Sequence, residues 1–386
     1  MGSQRKTEFT FPPRHEPHTD KYFLRSAEIL RKEGINPFVR YQVFIRKGPG
    51  ITGGIDEAIA AIMKYSPKLA EHGGRIFALQ DGVPYQPEET LMLLEGPILD
   101  LIELETMYLS ILSDRTGRAN GEPEPDLEKI RANVREVAEL INKSKFGPRH
   151  LSYFGARHYG YEWDAKIARV AYEAGAASTS TDIGAATFGQ KGVGTVPHAL
   201  VLAFASKYGE EDSAVETMKA FHKHMPKDVP RIFLADTFNR EITDTLKVAE
   251  ELGDDFWGPR FDTNGAVIAE GGVPFDGRKY WTGTGVTVEA VAAARRAFND
   301  EGYPNLKIAL SSGFSNPKKV EAFILGEQRY DLKLFDFIGA GFADDRYVAT
   351  SDIMGYFVDD EFITLHKAGR PYRPNPRLEK VDLSVY

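Results

Sequence analysis

The spacing of apolar residues changes along this chain, and the change predicts where its helices and strands lie. In the first part, helical spacing predicts a helix that Thr19 or Asp20 caps and Gly34 ends, and further helices over Ile55–Tyr65 and Asp126–Ser144. Alternating spacing predicts strands over Pro37–Ile45 and Arg75–Leu79. The mostly apolar stretch Leu91–Leu112, which Gly96 and Pro97 interrupt, predicts a strand, a turn and a buried helix.

From Ser152 onward the pattern repeats one unit, a short apolar strand followed by a helix. The predicted strands are Ser152–Phe154, Ala176–Thr179, Arg231–Asp236, Phe256–Asp262, Lys307–Ser311 and Phe335–Gly339. The predicted helices between them are Trp163–Glu173, His198–Lys207, Glu241–Leu252, Thr287–Asn299 and Pro317–Leu325. Such alternation predicts a parallel sheet with crossover helices.

The ends of these strands favour a barrel over an open sheet. They finish in Asp, Ser, Thr or Gly, which is typical of a barrel with its site at the carboxyl-terminal rim. An open doubly wound sheet is the alternative, but no GxGxxG follows the first strand. After Asp344, Tyr347–Val358 and Phe362–His366 predict strands that return to the first domain. We therefore expect segments at 1–145, 146–345 and 346–386.

Composition narrows the classes of protein that fit. The chain has 386 residues, 42% of them hydrophobic, and a net charge of −8, which lacks the basic balance of a nucleic-acid-binding domain. It has no cysteine, which excludes disulfides and thiolate metal sites. The N-terminal stretch has no apolar signal region, and the chain has no uncharged apolar run near the ~18 residues that span a bilayer. We expect a soluble, cytoplasmic protein.

The stretch Ser152–Leu200 combines chemically useful side chains with many glycines. Phe154 offers a stacking face, Arg157 a forked donor, Asp182 an acceptor and His198 a titratable nitrogen. Glycine lets the backbone approach a ligand closely. This composition indicates a binding site.

Further candidates lie at later strand ends. Arg260 and Asp262 stand two residues apart, so both side chains point to one face of the rim. Asp236 ends an earlier strand. Two glycine-rich turns, at Ser312–Gly313 and at Gly339 with Gly341, predict backbone nests for a phosphate, each helped by a following helix start.

The order of these motifs resembles the nicotinate and nicotinamide phosphoribosyltransferase family. The resemblance covers nearly the whole chain, and its motifs are TDKY (19–22), FIRK (44–47), FGAR (154–157), TD (181–182), GTVPH (194–198), LADTF (234–238), PRFDTNG (259–265), SSGF (311–314) and IGAGF (338–342). It implies an irregular seven-stranded α/β barrel combined with an α/β sandwich domain, which the N-terminal part and the C-terminal tail would build. A phosphoribosyl site needs positioning and charge stabilisation above all.

The resemblance also implies roles for the candidates. Arg260 would clamp phosphate, Asp262 would hold a ribose hydroxyl and Asp236 would lie near the substrate. Phe154 and Arg157 would bind the pyridine ring and its substituent, while Thr181 and Asp182 match further substrate-binding positions.

Two further implications concern a second chain and ATP. Tyr22 and Arg46 match residues that a neighbouring subunit donates, so a homodimer with shared sites is implied. His198 matches a histidine that ATP phosphorylates, and Mg²⁺ would accompany the pyrophosphate.

The implied reaction joins nicotinate to phosphoribosyl pyrophosphate and releases pyrophosphate, in NAD salvage. The alternatives are an amide-using enzyme of the same fold, quinolinate phosphoribosyltransferase and a phosphosugar-binding barrel of another function. Arg157 favours an acid substrate, whereas Asp182 occupies a position where the amide-using enzyme has aspartate. Phe314 stands where many relatives carry an aspartate, so one phosphate or ribose contact differs.

Overall fold

The structure is a computed structural model that describes residues 9–343 and 345–386, so residues 1–8 of the expected first segment lie outside it. The α-helices are α1 (Lys21–Glu33), α2 (Ile55–Tyr65), α3 (Ile98–Leu101), α4 (Glu105–Ala119), α5 (Leu127–Ile141), α6 (Asp164–Glu173), α7 (Asp182–Ala186), α8 (His198–Tyr208), α9 (Glu210–His224), α10 (Glu241–Leu252), α11 (Val288–Asp300) and α12 (Pro317–Tyr330). The strands are β1 (Phe38–Ile45), β2 (Gly50–Ile51), β3 (Arg75–Ala78), β4 (Pro84–Tyr85), β5 (Thr90–Pro97), β6 (His150–Tyr153), β7 (Ser178–Thr179), β8 (Arg231–Leu234), β9 (Phe256–Phe261), β10 (Ala309–Leu310), β11 (Phe337–Ala340), β12 (Ala349–Val358), β13 (Glu361–Thr364) and β14 (Glu379–Lys380).

The second half of the chain builds a parallel sheet of six strands in the order β7-β6-β11-β10-β9-β8. Every recorded pairing in it is parallel, as the alternation of strands and helices predicts. The strands are almost wholly buried, in keeping with a sheet that helices cover. The carboxyl ends of the strands share one edge, and the loops that leave this edge carry most of the candidate residues.

A second, antiparallel sheet joins the two ends of the chain. Its order is β13-β12-β1-β5-β3-β14, with β1 between β12 and β5. The register of β1 with β12 runs from Phe38 opposite Phe357 to Ile45 opposite Ala349. The C-terminal strands therefore complete a sheet that the N-terminal strands begin.

Local sequence explains several helix ends. Asp126 caps α5, because its carboxylate accepts from the backbone N–H groups of Glu128 and Lys129. Asn316 caps α12, and Pro317 occupies the first helical position, where a missing N–H costs nothing. Gly34 ends α1 with φ of +63°, a left-handed conformation that favours glycine.

Helix α9 was not predicted from the sequence. Its buried face includes Ser213, Ala214 and Thr217, so the apolar signal is weak even though Met218 and Phe221 are buried. In the described ranges, 9–343 and 345–386, no helix combines the length and apolarity needed to cross a membrane.

Candidate active site

The loops at the carboxyl edge of the parallel sheet surround a cavity of about 1400 Å³, which residues of β1, α1 and the C-terminal segment also line. Among the described residues, its lining contains nine lysine or arginine side chains and five aspartates or glutamates. The whole chain carries a net charge of −8. Positive charge is thus concentrated in the cavity, which suits an anionic ligand.

Part of the cavity wall suits a pyridine ring with a charged substituent. Phe154 follows β6, and Arg157 lies three residues later with 34% of its side chain exposed. Tyr22 lies in α1 and is within electrostatic reach of Arg157. Burial raises the pKa of Tyr22, so the hydroxyl stays protonated at neutral pH. Together these residues offer two aromatic faces and a forked cationic donor.

The turn Ser312–Gly313 forms another part of the wall. Ser312 has φ of +71° and Gly313 has φ of +80°, and α12 starts a few residues later. The Lys319 amine donates to the Ser312 carbonyl at 2.8 Å and lies 4.6 Å from the Phe314 ring centre. Phe314 is fully buried against Phe323. A lysine therefore borders the phosphate nest predicted here, where Phe314 provides packing in place of a carboxylate.

Gly339 and Gly341 also line the cavity, for a different reason than the predicted nest. A Cβ on Gly339 would stand 2.2 Å from the Phe154 ring, and one on Gly341 would stand 2.2 Å from the His158 imidazole. Neither glycine has a positive φ, and the next element after Gly341 is β12. The prediction that a helix starts after this turn is wrong. Glycine at these positions allows Phe154 and His158 to pack close to the backbone.

His198, on α8, stands at the centre of a cluster that two strands and the C-terminal segment complete. It is the first residue of α8, while Asp236 follows β8 and Asp262 follows β9. Lys367, which follows β13, places its amine 2.7 Å from His198 Nε2 and 2.6 Å from Asp236 Oδ2. The same amine lies 3.7 Å from Asp262 Oδ2. His198, Asp262 and Lys367 line the cavity, whereas Asp236 is buried behind its wall.

These neighbours define the protonation state of His198. Burial, together with the Lys367 charge, lowers the pKa of His198. An ammonium group can only donate, so Nε2 of the neutral ring accepts from Lys367. The proton then lies on Nδ1, which contacts Thr237 Oγ1 at 3.0 Å. Although burial opposes it, the positive charges of Lys367 and Arg260 hold the pKa of Asp262 well below its usual range.

The same cluster has donors that fit a metal ion. His198, Asp236 and Asp262 can each offer one ligand atom, all within 4.8 Å of one another. Carboxylate oxygens are the donors that Mg²⁺ prefers. The Lys367 amine lies among these atoms and already supplies positive charge to them.

Tyr22 and Arg46 are the residues that the sequence assigned to a neighbouring subunit. Both line the cavity of the chain to which they belong, alongside Arg260. Burial and the nearby charge of Arg370 lower the pKa of Arg46 to about 10, which leaves it charged at neutral pH. Tyr22, Arg46 and Arg260 therefore line one cavity within a single chain. Their donation across a subunit interface stays a prediction.

Thr181 and Asp182 do not line the cavity. Thr181 is buried, caps α7 and donates to Asp164 at 2.5 Å. Asp182 pairs with Lys21 at 2.6 Å and accepts from the Gly192 N–H at 2.9 Å. Thr181 thus connects α7 to α6, and Asp182 connects α1 to the loop after α7. The prediction that these two residues bind substrate is not supported by their positions.

Several residues that line the cavity were not predicted from the sequence as site residues: Glu105, His158, Lys319, Lys367 and Arg370. His158 stands next to Arg157, and burial lowers its pKa to about 3, so its imidazole is neutral. Lys367 and Arg370 belong to the segment HKAGRP, where two cations flank a glycine before a proline. That composition resembles the other ligand-facing turns and could have marked the segment as part of the site.

Comparisons with known proteins agree with the motif order. No model of a known protein family matches the chain. A curated nicotinate phosphoribosyltransferase of Mycobacterium tuberculosis is 26% identical over 243 residues, which are 62% of this chain and 42% of the relative. The chain thus spans less than half the length of the curated relatives it matches.

Solved structures show the same fold over most of the chain. A nicotinate phosphoribosyltransferase from Porphyromonas gingivalis has a TM-score of 0.63 at 16% identity and covers 92% of this chain and 93% of its own. One from Vibrio cholerae has a TM-score of 0.61 at 14% identity, with 89% and 87% covered. The chain has the α/β fold of these enzymes. Its resemblance to the nicotinate phosphoribosyltransferase family, expected from the motifs, is confirmed.

Proposed function

We propose that this protein is a nicotinate phosphoribosyltransferase that joins nicotinate to phosphoribosyl pyrophosphate. The observation that carries the proposal is one cavity in which Phe154, Tyr22 and Arg157 lie together with Arg260, Asp262 and the Ser312–Gly313 turn. This set provides an aromatic and cationic subsite for a pyridine carboxylate and a cationic, glycine-containing subsite for phosphate. The fold and the sequence match described above support the same reaction class.

In this reaction the nicotinate ring nitrogen forms a bond to the anomeric carbon of the ribose, and the bond from that carbon to pyrophosphate breaks. Arg157 would hold the nicotinate carboxylate, and the faces of Phe154 and Tyr22 would align the ring. Arg260 would stabilise the negative charge that develops on the phosphate groups, and Asp262 would accept from a ribose hydroxyl. Alignment and charge stabilisation are the main contributions a protein can make to such a transfer.

Mg²⁺ and ATP are part of the proposal. Asp262, whose carboxylate reaches the cavity, would hold Mg²⁺, which supplies charge neutralisation to the pyrophosphate. On the neutral His198, at the first position of α8, Nε2 would take the terminal phosphoryl group of ATP, and ADP would leave; Lys367 would no longer donate to that nitrogen in the phosphorylated state. The adjacent N–H groups at the start of α8 favour a phosphate there.

We also propose the barrel, the domain boundaries, the oligomeric state and the cellular location of the protein. The six-stranded sheet would form the wall of an irregular seven-stranded barrel, with domain segments at 1–145, 146–345 and 346–386. The pairing of β12 with β1 supports a return of the last segment to the first domain. We propose a homodimer acting in the cytoplasm in NAD salvage, in which each chain supplies its own Tyr22 and Arg46.

The amide-using alternative is less well supported. The sequence favoured this alternative only through Asp182. Its carboxylate lies outside the cavity, where it pairs with Lys21 and accepts a hydrogen bond from the Gly192 N–H. Quinolinate has a second carboxylate and would require a larger cationic cluster beside the ring than Arg157 provides.

The test is pyrophosphate release. The purified protein, with Mg²⁺, ATP and phosphoribosyl pyrophosphate, is given nicotinate, nicotinamide or quinolinate, and the mononucleotide is identified by mass spectrometry. We expect nicotinate to give the highest kcat/KM.

Arg260→Ala should reduce the rate by about 10²- to 10³-fold, the usual cost of removing a charge-stabilising donor. Arg169→Ala, which removes an exposed arginine on α6, is the matched control. No pyrophosphate release with any of the three pyridines would refute the proposal.

A further inference from the structure

Glu105 is a buried carboxyl group in the cavity to which the proposed reaction assigns no part. It is the first residue of α4, and only 6% of its side chain is exposed. The Arg157 guanidinium donates from Nη1 to Glu105 Oε1 at 3.2 Å. The Arg157 side chain lines the cavity, and 34% of it is exposed. Arg157 thus touches one carboxyl group of the protein and is also the proposed partner of the nicotinate carboxylate.

Two carboxylates that share one guanidinium compete for it. If Glu105 is ionised, it neutralises Arg157 and repels the carboxylate of the substrate, because a buried charge is little screened by solvent. If Glu105 is protonated, it still holds Arg157 by a hydrogen bond, and the full charge of Arg157 remains for the substrate. The charge of Glu105 therefore determines how well this wall binds an anion.

We propose that Glu105 is a positioning and specificity residue, which holds Arg157 for the nicotinate carboxylate while protonated and excludes nicotinate when ionised. The inference rests on the proposed function, because it takes nicotinate as the ligand of Arg157. It adds that nicotinate binding becomes linked to the uptake of one proton once the pH is high enough to ionise Glu105.

The surroundings of Glu105 favour its neutral form. Burial raises its pKa to about 8, and the charge of Arg157 opposes this only in part. Asp352 of β12 and Asp20, which precedes α1, face Glu105 and also raise its pKa.

Three tyrosines also lie within electrostatic reach of Glu105: Tyr22 of α1, Tyr41 of β1 and Tyr108 of α4. Burial raises the pKa of each of them, so they stay uncharged over the range in which Glu105 titrates. Glu105 should therefore be the group whose ionisation changes the charge beside Arg157 between pH 7 and pH 9.

The experiment measures the KM for nicotinate between pH 6 and 9.5 for the wild type, Glu105→Gln and Glu103→Gln. In the wild type, KM should be constant at low pH and rise about tenfold per pH unit above about pH 8, because each nicotinate must then bring in one proton. In Glu105→Gln, which keeps the size and the hydrogen bond but cannot ionise, this rise should be absent. Glu103→Gln, two residues away and paired with Arg31 outside the cavity, should follow the wild type.

The possible failures are distinguishable. Absence of pyrophosphate release with nicotinate in the wild type refutes the proposed function itself. An active wild type with a flat KM up to pH 9.5 overturns the inference about Glu105 without any variant, even if Glu105→Gln does not fold. An unchanged rise of KM in a folded Glu105→Gln protein also overturns it, because the titrating group would then be another one.

Discussion

The charge on a single side chain in this cavity depends on residues far away in the sequence. Asp236 and Lys367 are separated by more than a hundred residues, yet their side chains lie 2.6 Å apart and both are buried. The Lys367 ammonium also fixes the tautomer of His198 by occupying Nε2. The motif that contains His198 therefore does not determine its protonation state, because Lys367 lies outside that motif.

Asp182 provides a residue-scale test of substrate choice. Because its carboxylate lies outside the cavity and binds Lys21 and Gly192, Asp182→Asn should change the ratio of kcat/KM for nicotinate and nicotinamide by less than about twofold. The pair is partly exposed, with 24% of Lys21 and 36% of Asp182 accessible, so stability should fall by no more than about 1 kcal/mol.

The positive control for that measurement is Arg157→Leu. Removing the proposed carboxylate partner should lower the preference for nicotinate by at least about 30-fold, which corresponds to about 2 kcal/mol for one charged pair. Steady-state kinetics with both pyridines and urea unfolding give the two quantities. A wild type that prefers nicotinamide and loses this preference in Asp182→Asn would instead place Asp182 in control of the substrate.

The sequence predicted some site residues correctly and others not, and the difference lies in whether strand geometry or motif position alone supported the prediction. Arg260 and Asp262 were expected on one face of the rim because residues two apart in a strand point the same way, and both line the cavity. Thr181 and Asp182 were predicted from their position in a motif alone, and their hydrogen bonds hold them outside the cavity. Lys367 was missed because the pattern of one segment contains no information about contacts with β8 and β9.

At the scale of secondary-structure elements, periodic apolar residues predicted the parallel sheet well. The six predicted strands correspond to β6 through β11, with ends shifted by a few residues. Helix α9 was missed because small and polar residues form much of its buried face. Periodicity reports apolar side chains, so it fails where Ala, Ser and Thr pack instead.

The segment between β13 and β14 deserves a test of its own, because it delivers both Lys367 and Arg370 to the cavity. Its position is fixed in part by the Ala368 N–H, which donates to the Thr237 carbonyl at 2.9 Å. Lys367→Met would leave the fully buried Asp236 carboxylate without its cation. Removing one partner of a buried ion pair costs about 3–5 kcal/mol, and we expect that loss in the free energy of unfolding, together with loss of transferase activity.

Lys380→Met is the matched control for this prediction. Lys380 lies on β14 in the same C-terminal region, but it is exposed, so the free energy of unfolding should change by less than about 0.5 kcal/mol. Urea unfolding of the two variants and the wild type makes the comparison. Equal stability of Lys367→Met and the wild type would mean that Asp236 is uncharged or finds another partner.

At the scale of the whole molecule, the two sheets meet at the cavity. The parallel sheet contributes Phe154, Arg157 and Arg260 from its carboxyl edge. The antiparallel sheet and its helices contribute Arg46 from the end of β1 and Glu105 from α4. The site therefore requires the N-terminal strands and the C-terminal segment as well as the parallel sheet, although most of the recognisable motifs lie in the latter.

The assembly of the site within one chain predicts the result of a subunit-mixing experiment. Tyr22→Ala and Arg260→Ala should each be inactive, since Tyr22 and Arg260 line the same cavity. If each chain supplies both residues, every site in a mixed dimer carries one defect, and mixing should restore no activity. If a partner supplied Tyr22, half of the sites in a mixed dimer would be intact, and activity would return.

The two variants are mixed with different affinity tags, subunit exchange is verified by native mass spectrometry, and pyrophosphate release is then measured. Recovery of activity in verified mixed dimers would show that Tyr22 acts across the interface, as the motif alone had suggested.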